Sequence, residues 1–192
     1  MRKNNLKIIL LSGKAECGKD TLASFLKKEL EQNGKKVLID RFAKYIKDYA
    51  IKLGWDGKTK DEYWRRFLQI TGTEVIKQDL NLKCFHAKRL SEDIQILHKC
   101  GVDTFIISDC RFRDEVTYLQ SMFPDNVITI RINRLGHKNK LTEEQRHHKS
   151  ETDLDNFKFD YNIYTKESTN RNTSLGQLYD ESKRVLGKVL NI

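Results

Sequence analysis

The stretch that most constrains the fold runs from Leu6 to Leu30. Ile8 to Leu11 form an apolar run that leads into Gly13-Lys14-Ala15-Glu16-Cys17-Gly18-Lys19, after which Leu22, Phe25, Leu26 and Leu30 recur at helical spacing. Such a run, a glycine-bounded polar turn and a 3.6-residue period read as strand, loop and helix. Glycine, four residues, then Gly-Lys lets successive backbone N–H groups wrap a phosphate, sets a helix N-terminus behind it and aims Lys19 at the terminal phosphates. The glycines are needed where a Cβ would block that approach. The expected nucleotide-binding residues are therefore Gly13, Lys14, Ala15, Glu16, Cys17, Gly18, Lys19, Asp20 and Thr21. Asp20 stands where a Ser or Thr normally offers its hydroxyl to magnesium, and Thr21 follows one place late.

A chain of 192 residues with 38% hydrophobic and 33% charged content fits one soluble globular domain over residues 1–192. No apolar run approaches the roughly 20 residues that span a bilayer, and the N-terminus leads straight into a core strand instead of a cleavable signal, so a cytoplasmic protein without a membrane partner is expected. Cys17, Cys84, Cys100 and Cys110 lack CxxC pairing or zinc-finger spacing and read as free thiols, Cys17 as a small neutral filler of the loop. The net charge of +9 suits polyanionic partners. Its lysines are spread along the chain with no RNA- or DNA-binding signature, which favours small nucleotides over nucleic acid. The reading allows a homodimer.

Beyond the first helix, which ends at Asn33-Gly34, Lys36 to Asp40 reads as a short buried strand, and Arg41-Phe42-Ala43 runs into a helix carrying Ile46, Ala50, Ile51 and Leu53. Gly54 to Lys60 is polar and turn-rich. Asp61 to about Lys77 is helical, packing Phe67, Leu68 and Ile70 and reaching out with Arg65, Arg66 and Gln69. Thr71-Gly72-Thr73 is expected to break it in two. Lys83 to His98 forms a crossover helix, and Thr104 to Asp109 an apolar strand ending in an acid. In open α/β sheets ligands lie over the carboxyl ends of the strands, so Asp109 and Arg111 should share a crevice with the phosphate loop, unless Asp109 simply caps a helix.

Asn126 to Arg131 reads as the fourth strand. Residues 133–150 then turn polar and basic, with Arg134, Lys138, Lys140, Arg146, His147 and His148 around a short helix containing Glu143. Such a segment is either a lid over polyphosphate or a plain solvated loop, and the lid is the expectation because the segment leaves a strand on the active face. Phe159 to Tyr164 reads as a fifth strand, Lys166 to Thr173 as a turn, and Leu175 to Leu190 as a closing helix. This order implies a three-layer α/β/α fold with a five-stranded parallel sheet.

With these motifs placed, the chain resembles the deoxynucleoside monophosphate kinases of phages and bacteria, a family of phosphate-loop (P-loop) kinases. The resembling blocks are Ser12-Gly13 with Gly18-Lys19-Asp20-Thr21, Arg41-Phe42-Ala43 with Lys47, Leu68-Gln69 with Gly72-Thr73-Glu74, Ile107-Ser108-Asp109 with Arg111-Phe112, His148-Lys149-Ser150-Glu151 with Leu154-Asp155, and Asp160-Tyr161. The Gly-Lys-Asp form also resembles animal phosphomevalonate kinases, which share a Ser-Asp-x-Arg strand end and a Ser-Glu pair before the last strand. The Asn-Asp-Gly turn that usually follows the last strand in the nucleotide kinases is replaced here by Thr165-Lys166-Glu167.

The resemblance implies ATP and Mg²⁺ as cofactors and transfer of the γ-phosphate to a small phosphorylated acceptor; the Arg-Phe-Ala and Gln-x-x-Gly-Thr-Glu blocks follow the nucleotide kinases, so a nucleoside monophosphate is expected, with phosphomevalonate as the alternative. Phosphoryl transfer rests on positioning and charge neutralisation, so basic residues should outnumber general bases. The expected catalytic set is Lys19, Arg111, Arg131 and Arg134, with Arg146 joining the closure over the transferred group. Arg41, Phe42, Lys47, Arg65 or Arg66, Gln69 and Arg111 would bind the acceptor, since guanidinium groups grip phosphate bidentately. Asp20 and Asp109 are the candidate metal ligands, while His148, Ser150 and Glu151 would fix the base of the lid.

Overall fold

The computed structural model describes residues 5–59, 61–137, 141–168 and 170–190. Strand β1 (Lys7–Ser12) sends alternate side chains to opposite faces: Ile9 and Leu11 into one core, Ile8 and Leu10 into the other. It is central in a parallel sheet of order β2-β3-β1-β4-β5, with β2 at Val37–Asp40, β3 at Thr104–Ile107, β4 at Val127–Leu135 and β5 at Tyr161–Lys166. Being covered on both faces, β1 can be apolar from Ile8 to Leu11 without alternation.

The first face is packed by α1 (Lys19–Gln32) and α8 (Arg171–Leu190), which contribute Leu22, Leu26 and Leu30, and Leu178, Val185 and Leu186. Each such fully buried side chain stabilises the fold by about 1.5–3 kcal/mol. The second face carries α4 (Phe85–Lys99) and α5 (Arg113–Met122) through Leu90, Ile94, Val116 and Leu119. Helices α2 (Lys44–Lys52) and α3 (Glu62–Gln69) follow β2 over the carboxyl ends of the strands, and α6 (Glu143–His147) and α7 (Lys149–Thr152) follow β4. Among the described residues no helix is long and apolar enough to cross a membrane. All four cysteines are free thiols.

Three expectations are corrected. The break at Thr71-Gly72-Thr73 does not occur: the chain runs on from α3 as wide π-helical turns over Ile70–Asp79. Gly72 serves close packing there, because a Cβ would lie 3.0 Å from Ile46 Cδ1 of α2. Strand β4 extends to Leu135, in register with β5 from Ile130 opposite Tyr161 to Leu135 opposite Lys166. Residues 133–135 are thus sheet and not lid, and the expected lid residues Lys138 and Lys140 lie outside the described residues. Helix α8 begins at Arg171, shortening the expected turn.

Candidate active site

Strand β1 ends at Ser12 and the chain turns back over it. Gly13, Glu16 and Gly18 adopt φ of +144°, +62° and +101°, which curls the intervening amides into one concavity. Gly13 cannot carry a side chain, since a Cβ would sit 2.6 Å from the Ile132 carbonyl oxygen and 2.7 Å from Cys17 Sγ. Cys17 is buried against it as a filler. Lys19, itself buried, folds back so that Nζ donates to the carbonyl oxygens of Gly13 and Lys14 at 2.8 Å each. Burial and the neighbouring Arg111 guanidinium hold its pKa below the ordinary lysine value.

Asp20, in the first turn of α1, pairs with Arg41 at 2.8 Å and accepts from the Ser108 hydroxyl at 3.0 Å. The hydrogen bond that Arg41 donates to Asp20 raises the Arg41 pKa above its ordinary value. Asp109, two residues past the end of β3 and not on the strand as expected, accepts from the backbone N–H groups of Phe42 (2.8 Å) and Ala43 (3.2 Å) and so fixes the turn into α2. Arg111 leaves the same strand end and donates to the Glu151 carboxylate.

These groups border a cleft of about 510 Å³ whose walls include Lys19, Asp20, Arg41, Lys47, Arg65, Ser108 and Arg111, with Trp55 and Trp64 beyond. A second arm of about 240 Å³ shares Lys47, Arg65, Leu68, Asp109 and Arg111 with the first. It continues past Phe42, Ile46, Gln69, Thr73 and His86 to Phe112 and Glu115. On the loop's other flank lies a cavity of about 330 Å³ between Cys17, Arg134, Thr165, Ser174 and Leu178. Two cation-lined arms that share Lys47, Arg65 and Arg111 thus adjoin the phosphate loop on one side and a third recess borders it on the other.

No protein-family model matches the sequence. A curated relative, the phosphomevalonate kinase of Drosophila melanogaster, is 30% identical over 136 residues, which span 66% of this chain and 67% of that protein. The chain belongs to the same kinase family as that enzyme. Among solved structures, the APS kinase CysC of Mycobacterium tuberculosis in complex with AMPPNP and APS superposes with a TM-score of 0.52 at 11% identity, covering 97% of this chain and 98% of that one, and shares the fold. The protein is therefore a P-loop kinase that phosphorylates a small substrate. The relative falls within the second of the two resemblances drawn from the sequence.

The kinase's expected site residues are not all brought together. Lys19, Asp20, Thr21, Arg41, Lys47, Arg65 and Arg111 line the main cleft, and Phe42 and Gln69 line its second arm. Arg66 projects from α3 into solvent while Arg65 faces the cleft, which separates two arginines that the sequence left as alternates. Arg134 borders the third cavity, where it donates to Glu167 at 3.2 Å. Arg131 is tied at 2.8 Å to Asp155 and at 2.7 Å to the Leu154 carbonyl. Lys14 reaches Asp155 at 2.7 Å and the Glu151 carbonyl at 2.6 Å, and burial's upward pull on the Asp155 pKa is outweighed by these two cations. Arg146, exposed, folds back onto the Leu141 carbonyl of its own segment at 2.8 Å.

Some site residues were not foreseen. Trp55 is buried with its indole N–H on the Thr59 carbonyl at 2.7 Å, in a segment that reads as a polar turn; a tryptophan amid turn residues was the available signal. His86, Lys77 and Glu115 form a buried polar group behind the second arm. Lys77 Nζ lies 3.5 Å from the Phe112 ring centroid and pairs with Asp114 at 2.9 Å. Burial first, then Lys77, pushes the His86 pKa down, and among the described residues its Nδ1 has no hydrogen-bond partner. Glu115 accepts from the amides of Arg111 (2.9 Å) and Phe112 (3.1 Å), yet full burial raises its pKa from 4.5 to about 8.

A folded-state pKa above the unfolded value means that the folded chain keeps a proton which the unfolded chain gives up. Stability from this group is full below 4.5 and is lost as pH rises through about 8. Glu115→Gln is therefore expected to flatten the fall in Tm between about pH 5 and pH 8, with the largest gain at the alkaline end. Parallel melting curves of variant and parent at every pH would count against this.

Proposed function

We propose that the protein transfers the γ-phosphate of ATP to a nucleoside or deoxynucleoside monophosphate, giving the diphosphate and ADP. The observation that carries this is the chemistry of the cleft's second arm. Its cations, Lys47, Arg65 and Arg111, all lie at the mouth it shares with the phosphate-loop cleft. Beyond them its walls are apolar side chains with Gln69, Thr73, Ser150 and His86, and two acids: Glu115, whose pKa burial raises to about 8, and Glu151, already paired with Arg111. A flat, uncharged, hydrogen-bonding base suits such a lining, whereas an acceptor ending in a carboxylate would find no cation there to pair with among the described residues.

The acceptor phosphate then sits between Lys47, Arg65 and Arg111, held bidentately by the guanidinium groups. One of its oxygens attacks the γ-phosphorus, the bond from that phosphorus to the β-bridging oxygen breaks, and ADP leaves with the electron pair. A monophosphate is mostly dianionic near pH 7, so the attacking oxygen needs no general base. Lys19 neutralises charge on the β- and γ-phosphates, and the third cavity takes the donor's base, with Arg134 as its charged wall. A hard divalent cation suits the oxygen donors Asp20 and Ser108. Among the described residues no three His, Cys, Asp or Glu side chains gather as a metal cage, so phosphate oxygens and water would complete the shell. Such an ion supplies charge neutralisation at the transferred group. Asp109 is the poorer second ligand, because its oxygens already accept two amides.

Phosphomevalonate is the second reading, favoured by the 30% identity to the fly enzyme. An acceptor screen with ATP, across ribo- and deoxyribonucleoside monophosphates and phosphomevalonate, separates the two. Turnover with one or more nucleotides and none with phosphomevalonate supports the proposal; the reverse overturns it. Within it, Arg65→Ala should raise the acceptor KM on the order of 100-fold, as loss of a charge-assisted phosphate contact does. Arg66→Ala should leave KM within about twofold, its side chain being outside the cleft.

A further inference from the structure

The carboxylate of Glu151 lies on the phosphate loop. Its Oε2 accepts the Ala15 backbone N–H at 3.0 Å, and its Oε1 accepts the Arg111 guanidinium. The side chain is only 7% exposed, and its backbone carbonyl accepts Lys14 Nζ at 2.6 Å. Four residues on, Asp155 holds both Lys14 and Arg131, at 2.7 and 2.8 Å. Four groups suited to gripping phosphate, one loop amide and the cations of Lys14, Arg111 and Arg131, are thus engaged by two carboxylates from one short segment.

An amide N–H has a single proton to give. A phosphate oxygen and a carboxylate oxygen cannot both take it, and two anions forced together in a poorly hydrated site repel strongly. We propose that Glu151 is a placeholder for the terminal phosphate of the donor nucleotide, and that nucleotide binding displaces it, handing Ala15 N–H and Arg111 to the phosphate. The displacement links nucleotide occupancy to movement of α7 and of Ser150, which with Glu151 and Leu141 walls the acceptor arm. A filled donor site thereby reshapes the acceptor site, an ordered arrangement that keeps Arg111 paired until there is phosphate to receive it. The proposal rests on the kinase reading but not on the identity of the acceptor.

Calorimetric titration of the full chain with Mg²⁺ and a non-hydrolysable ATP analogue, in the absence of acceptor, tests this. Glu151→Gln keeps the size of the side chain but removes the competing charge, and is expected to lower the Kd for the analogue about tenfold. A merely structural Glu151 predicts the opposite sign, weaker binding from a distorted loop. An unchanged or raised Kd in a variant that melts like the parent overturns the proposal. Should Glu151→Gln fail to fold, Asp155→Asn at a 39% exposed side chain loosens the segment that carries Glu151 and tests its displacement indirectly. It frees Lys14 and Arg131, and a Kd lowered about threefold supports the proposal while an unchanged or raised one overturns it. Failure of the chain to bind any nucleotide would instead strike the ATP reading itself, which separates the two.

Discussion

Lys19→Ala is expected to reduce phosphoryl transfer by roughly 10³-fold or more while the fold persists, a loss of ~4 kcal/mol of transition-state stabilisation. The ammonium is buried, so its charge acts in a poorly hydrated setting where it is worth far more than at the surface. Its present partners are the carbonyl oxygens of Gly13 and Lys14. Each is a neutral acceptor, from which a phosphate dianion can draw the cation away. Steady-state kinetics with a melting curve as control would check this, and turnover within tenfold of the parent would detach Lys19 from the chemistry. Burial first, then the Arg111 guanidinium, lowers its pKa, whereas a phosphate dianion beside it would favour the charged form.

Gly13→Ala should be at least as damaging, by another route. A Cβ would come within 2.6 Å of the Ile132 carbonyl oxygen, on a backbone held at φ +144° that L-residues rarely adopt. The Ile132 backbone belongs to β4 and is held in register with β5, so it cannot retreat without disturbing the sheet. Destabilisation of about 2–4 kcal/mol is expected, with a Tm lower by roughly 5–15 °C and loss of nucleotide binding. The companion Gly34→Ala, with nothing within 4 Å of its Cβ and a left-handed φ of +73°, should cost far less in thermal melting, since only backbone strain opposes it.

The parts of this architecture that are legible in the sequence are those specified locally. The phosphate loop announces itself because glycine spacing, an apolar strand and a periodic helix are contiguous, and the alternation of Ile8, Ile9, Leu10 and Leu11 between two cores reflects a strand covered on both faces. The parallel five-stranded order follows from strand–helix alternation. What stayed hidden depends on contacts between distant segments. Gly72 looks like a helix breaker until Ile46 of another helix is seen against it. Residues 133–135 look like lid because β4 and β5 form a partly exposed edge of the sheet, where polar side chains such as Asn133 and Asn162 sit without penalty. Arg65 and Arg66 cannot be ranked without the orientation of α3. Glu151 reads only as the base of a lid, since the amide it engages lies 136 residues earlier.

The donor and acceptor arms meeting at Lys19 and Arg111 are the core of the account, and transfer of labelled phosphate tests them together. With γ-labelled ATP and an equimolar mixture of deoxynucleoside monophosphates, the account predicts label in nucleoside diphosphate and little release as inorganic phosphate. Label released as inorganic phosphate at the same rate with and without any acceptor would contradict it.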